Sequence, residues 1–217
     1  MIEKYYNGVI EQVVGGIGNV EHNSILVRYS NDFSIWDLES VNHYKDQTDI
    51  FFTCHEFSYN KIAEAYEPYL GLIRQMFHKY CSGTLEEFME ECDVYKLQRP
   101  VFESYFEKGF CERTEQILID EVEYEQERMH SSIVTMLQKL SEICPIVIVL
   151  NRFQLASKST MQLTNRLLQT KNKNIGIVLG VNDVQSIPEF AHEEWDAICE
   201  SMDDRNMVYH IGNAGRN

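Results

Sequence analysis

The chain has 217 residues, 44% of them hydrophobic, 12% aromatic and 24% charged, which is enough apolar material for a sizeable core and excludes disorder. Thirty-four acidic residues stand against 19 basic ones, a net charge of −15, so direct binding of nucleic acid or of an anionic membrane surface by this segment is not expected. Cys54, Cys81, Cys92, Cys111, Cys144 and Cys199 form no C-x-x-C pair and have no zinc-spaced histidines, the amino terminus has no signal-peptide core, and no run is long enough to span a bilayer. A reducing, cytoplasmic setting with free thiols and no metal is the expectation.

In chain order, Val9 to Val14 is a short apolar-rich run that stops at Gly15-Gly16-Ile17-Gly18, read as a strand followed by a glycine loop. Ser24 to Tyr29 then reads as a helix opening from that loop, although its β-branched residues leave a strand open. Ile50 to Cys54 is a buried-strand candidate. Pro68 begins a helix whose Tyr69, Ile73, Phe77 and Tyr80 recur at near-helical spacing, with Gly83 as its stop. Thr84-Leu85-Glu86-Glu87 has the form of a capping box opening a helix to about Cys92. A long helix is expected from about Glu112 to Ser141, its acidic first half a solvated face.

The last third alternates. Strand 146–150 leads to helix 158–170, strand 175–181, helix 188–202 and a final strand at Met207–Ile211. Strands alternating with helices of this length imply βαβ units and a parallel sheet. The five-residue run Ile146–Leu150 has no polar alternation, so it reads as buried on both faces. In such sheets ligands meet the carboxyl ends of the strands, and here that end is Asn151-Arg152.

Strand, glycines, then helix is an arrangement that cradles phosphate. The pattern G-x-x-x-x-G-K-[ST] also needs a lysine for the phosphates and a hydroxyl for magnesium. Read from Gly15 through Gly16, Gly18 and Asn19, the second glycine is Val20, the lysine is Glu21 and the hydroxyl residue is His22. Moving the frame to put Ser24 at the hydroxyl places Asn23 at the lysine, which is no better. A carboxylate at Glu21 repels a triphosphate, so a plain glycine turn is the competing reading. His55-Glu56 at a strand end suggests an acid/base pair but has no nucleophile or metal partner nearby in sequence, and Ser157, Ser159 and Thr160 read as helix caps.

The block Ile146–Leu168 resembles the Walker B region of the STAND and AAA-like ATPase modules of bacterial multidomain regulators, among them LuxR-type activators and nucleotide-cyclase fusions. It keeps the apolar run, Gln154, Ala156, Ser159, Thr160 and the leucine helix; Ile175–Asn182 resembles the family's next strand, which ends at a polar sensor position, here Asn182. Phe51–Glu56 and Tyr66–Tyr69 resemble its second strand and the following helix entry.

The resemblance implies a three-layer α/β, P-loop NTPase-like domain over 1–211. It would have a mostly parallel sheet of about five strands and a helical insertion at about 68–142, with 212–217 a linker to a carboxyl-terminal output region. It also implies a vestigial nucleotide site at Gly15, Gly16, Gly18, Asn19, Glu21, His22, Asn23, Ser24, Asn151, Arg152, Gln154 and Asn182. Where the family has two acids this chain has Asn151 and Arg152, which neither hold magnesium nor accept a proton. The expectation is therefore a pseudo-NTPase with no catalytic residue and no cofactor, signalling through protein partners or its own carboxyl-terminal domains. The alternative is a divergent switch that holds ATP or ADP through residues 15–24 and Asn182.

Overall fold

Ile146–Asn151 forms strand β3 with every side chain buried, and Ile175–Asn182 forms β4 in the same way. Strands that are apolar on both faces need cover on both, which dictates a layered α/β arrangement. The computed structural model describes residues 2–19, 23–30, 34–61, 64–109, 122–183, 186–203 and 208–211. Besides β3 and β4, the strands are β1 (Ser24–Tyr29), β2 (Phe51–Glu56) and a short β5 (Val208–Ile211); all pairings are parallel, in the order β2-β3-β4-β1-β5.

The chain divides into two units, Met1–Glu67 with Cys144–Asn217, and Pro68–Ile143. The first contains the sheet. One face is covered by α1 (Ile2–Gly15) and α2 (Glu39–Tyr44): Tyr6, Val9, Ile10 and Val13 of α1, and Leu38 and Val41 around α2, pack on Ile25, Val27, Val147, Val149 and Val178. On the other face Arg28 reaches Trp195 and Cys199 of α8 (His192–Asp203), and α8 lies beside α7 (Lys158–Gln169) through Ser201–Asn165 and Gln162–Glu194 bonds. This is a three-layer α/β fold with a parallel sheet.

The second unit is helical: α3 (Tyr69–Tyr80), α4 (Leu85–Glu91), α5 (Arg99–Lys108) and α6 (Val122–Ile143). The capping box at Thr84 is present, its hydroxyl accepting from the Glu87 N–H at 3.2 Å while Glu87 accepts from the Thr84 N–H at 2.8 Å. No helix among the described residues is long and apolar enough to cross a membrane.

The amino-terminal expectation is overturned. Val9–Val14 is helical, because Tyr6, Val9, Ile10 and Val13 recur at i, i+3, i+4 and i+7 and make one buried stripe. Ser24–Tyr29 is the strand rather than the helix. The glycines therefore join a helix to the start of a strand, the reverse of a phosphate loop's order. Gly18 adopts φ 94°, which suits glycine, and its N–H donates to the Lys173 carbonyl at 2.7 Å. The expected start of α6 near Glu112, and Met207 of the last strand, lie outside the described residues, as does the expected linker 212–217.

Candidate functional site

Strand order singles out one place. The chain leaves β1 through α2 on one face of the sheet, and leaves its neighbour β4 through α8 on the other. Adjacent strands whose connections diverge to opposite faces open a crevice at their carboxyl ends, the usual ligand position in such sheets. Here that place is held by Tyr29 and Ser30 at the end of β1, Asn182 and Asp183 at the end of β4, and Asn151 and Arg152 at the end of β3.

Asn151 is fully buried, and its Oδ1 accepts from the Tyr29 hydroxyl at 2.8 Å. Its Nδ2 has no partner among the described residues. Gly180 makes this possible: a Cβ there would lie 2.6 Å from Asn151 Oδ1 and collide with the Tyr6 hydroxyl. Tyr6 stacks edge-on to Tyr29 at 6.4 Å. Burial, then the neighbouring Tyr29, Cys54 and Glu56, push the Tyr6 hydroxyl well above its ordinary range. Burial likewise pushes the Cys54 thiol up to about 12, against a small opposing pull from Lys45. Both groups stay protonated at neutral pH, so neither is poised as a base or nucleophile.

Arg152 departs from ordinary backbone, with φ 53° and ψ 41° in the left-handed region. That conformation costs a non-glycine residue about 1 kcal/mol or more. It turns the guanidinium toward Glu56, whose Oε1 lies 3.5 Å from Arg152 Nη2 and whose Oε2 accepts from the Ile35 N–H at 3.4 Å. The side chains are 21% and 13% exposed. Gln154, fully buried, accepts from the Asn182 N–H at 3.4 Å. Arg28 pairs with Asp183 at 3.3 Å and lies 5.6 Å from the Trp195 ring centre.

The rest of the expected nucleotide set is elsewhere. Gly15, Gly16, Gly18, Asn19 and Asn23 sit before β1 and Ser24 opens it, at the amino edge of the sheet; Glu21 and His22 lie outside the described residues. A six-residue strand separates the two edges, about 20 Å at roughly 3.3 Å per residue. The twelve expected residues therefore do not converge on one site. Asn23 is architectural: its Nδ2 donates to the Asn172 and Ile175 carbonyls at 2.6 and 2.9 Å, tying the amino ends of β1 and β4 together. Ser24 donates to Asn23 at 3.4 Å, and Asn19 closes the glycine turn onto the Gly16 carbonyl at 2.9 Å.

By strand-then-helix order, the position a phosphate loop would take falls after β1, in the sequence Ser30-Asn31-Asp32-Phe33-Ser34-Ile35-Trp36-Asp37-Leu38, which contains neither glycine nor lysine. The reading of the glycines missed it. The signal was there in Ile25, Leu26 and Val27, a short apolar run with two β-branched residues. No protein-family model matches the chain, and no curated protein matches its sequence.

His55 and Glu56 are not an acid/base pair. Neighbours on one strand point to opposite faces, and His55 lies 4.0 Å from Glu67 and edge-on to Phe57, while Glu56 holds Arg152. Burial pulls the His55 pKa down, more than Glu67 restores it. Burial raises Glu67, but the Lys61 hydrogen bond at 2.9 Å and the charge of His55 reverse the sign and leave it lowered. Ser157 caps α7 as expected, accepting from the Thr160 N–H at 3.3 Å. Among the described residues no three His, Cys, Asp or Glu groups gather as a metal site.

Proposed function

We propose that this chain is a non-hydrolysing, NTPase-like regulatory module that acts through protein contacts within a bacterial cytoplasmic signalling protein of the STAND or AAA-like kind. One observation carries the reading. At the carboxyl edge of the sheet, among the described residues, Arg152 is paired with Glu56 and Arg28 with Asp183.

Phosphoryl transfer needs a cation on the phosphates, carboxylates on magnesium and a base or positioned water. The loop after β1 supplies no lysine, β3 ends in an amide and a guanidinium, and Glu56 brings its negative charge to the backbone N–H of that loop. These residues do not fit a magnesium nucleotide. A P-loop-type layout without its chemistry is what a relay that works by contact retains.

The test is calorimetric titration of ATP and ADP into the full chain, with and without magnesium. The expected result is no heat of binding at millimolar nucleotide. Micromolar, magnesium-dependent affinity would overturn the proposal in favour of a divergent ATP- or ADP-binding switch.

A further inference from the structure

The helical unit carries a second feature, separate from the crevice and independent of what the crevice holds. Between the turn that follows α4 and the first half of α6 lies a groove of about 420 Å³. Its walls include Tyr95, Tyr124, Arg128 and the buried Ser132, and its rim includes Asp93 and Glu127.

Two aromatic side chains of the lining stand out, Tyr124 at 70% and Tyr95 at 41% exposed; Leu97, two residues after Tyr95 in sequence, is 70% exposed as well. Exposed large apolar groups clustered around a concavity mark contact surfaces more often than single scattered ones do. The two tyrosines differ in state. Arg128 already lies over Tyr95, 4.2 Å from its ring centre, and is held there by Glu125 at 2.7 Å. Tyr124 has no ring or cation contact among the described residues.

The groove thus shows, in Arg128 on Tyr95, the interaction that its other aromatic wall leaves open. Asp93 at the rim makes no ion pair among the described residues. The surrounding unit holds fifteen acidic residues against eight basic ones. Arg128, the lining's one basic residue among those described, is paired with Glu125.

We propose that this groove docks a basic segment of a protein partner, seating an arginine or lysine over Tyr124 beside Asp93. A cation over an aromatic face and a carboxylate within reach is a recurring recognition pair, and complementary charge also speeds the encounter.

Fluorescence anisotropy with a short fluorescein-labelled peptide alternating arginine and leucine tests this on the full chain. The wild type binds the arginine peptide and not its glutamate counterpart. Asp93→Asn combined with Tyr124→Leu weakens binding about tenfold, whereas Tyr124→Phe, which keeps the ring, stays within about twofold. Asparagine tolerates the left-handed backbone of residue 93, φ 52°, and Tyr124 is exposed, so thermal melts of the variants match the wild type.

Glu107→Gln on α5 is the control for diffuse negative charge, and it leaves binding unchanged. An equal loss in Glu107→Gln would reduce the effect to a general field. Equal binding of the glutamate peptide would reduce it to hydrophobic adhesion. Displacement of the peptide by equimolar spermine would make the groove a small-cation site. Any of these, or no binding at all, overturns the proposal.

Discussion

Removing the Arg152 side chain separates two opposing effects at one position. Taking away one partner of a fully buried ion pair costs about 3–5 kcal/mol. The Arg152 and Glu56 side chains are 21% and 13% exposed, so water screens part of this and Arg152→Met is expected to cost about 2 kcal/mol. Arg152→Gly loses the same pair but relieves the left-handed backbone at φ 53°, a net gain of about 0.5–1 kcal/mol once glycine's extra unfolded freedom is subtracted. Glycine is therefore the milder substitution, although it removes more atoms. Glu56→Gln alone costs about 1 kcal/mol, because the guanidinium left behind has a route to solvent.

The double variant Glu56→Gln with Arg152→Met buries no unpaired charge. It should cost about 1 kcal/mol, not the roughly 3 kcal/mol that independent sites would give. Urea unfolding followed by tryptophan fluorescence reads this directly, since Trp36 and Trp195 are the chain's two tryptophans and both lie in the sheet-containing unit. Additivity of the two single substitutions within about 0.5 kcal/mol would refute the pairing. A glycine variant no more stable than the methionine one would refute the backbone argument.

Gly180→Ala forces a methyl between the Tyr6 hydroxyl and Asn151 Oδ1, and should lower stability by about 1–3 kcal/mol, read as a fall in melting temperature. His55 has a folded pKa depressed by burial, so the unfolded chain binds the extra proton more readily. Stability is fully present above the ordinary histidine range and is lost as pH falls from there through the folded value; His55→Gln should flatten that stretch of a plot of urea midpoint against pH. Glu67, lowered on balance, acts with the same sign in a separate and more acidic window, below the ordinary carboxylate range. Thr84→Ala removes the cap of α4 and should cost about 1 kcal/mol, seen as lost helical circular dichroism and earlier urea unfolding.

Legibility followed how local each signal was. β3, α7 and β4 were readable because each carries its own pattern: a continuous apolar run, a Ser157 cap and a second apolar run. α1 is not legible from Val9–Val14 alone, because its buried stripe begins one turn earlier at Tyr6. α5 was missed: it buries only Phe102 and Phe106, and Pro100 looks like a breaker although it sits in the first turn, where proline is tolerated. At the carboxyl edge Asn151 and Arg152 were legible as strand-end residues. Glu56 as the partner of Arg152 was not, because their proximity depends on pairing between β2 and β3, which no periodicity reports.

That pairing has a kinetic consequence. Phe51 meets Ile146, 95 residues later, because the whole helical unit forms the crossover between β2 and β3. Ile146 meets Ile175 only 29 residues on. Closing the longer loop costs about 1 kcal/mol more in chain entropy than closing the shorter one. Folding is therefore expected to nucleate on β3-α7-β4, with β2 docking late, after its crossover has collapsed. During synthesis the β1 and β2 sequences emerge before β3 and β4, the strands that lie between them in the sheet, so both wait unpaired in the nascent chain.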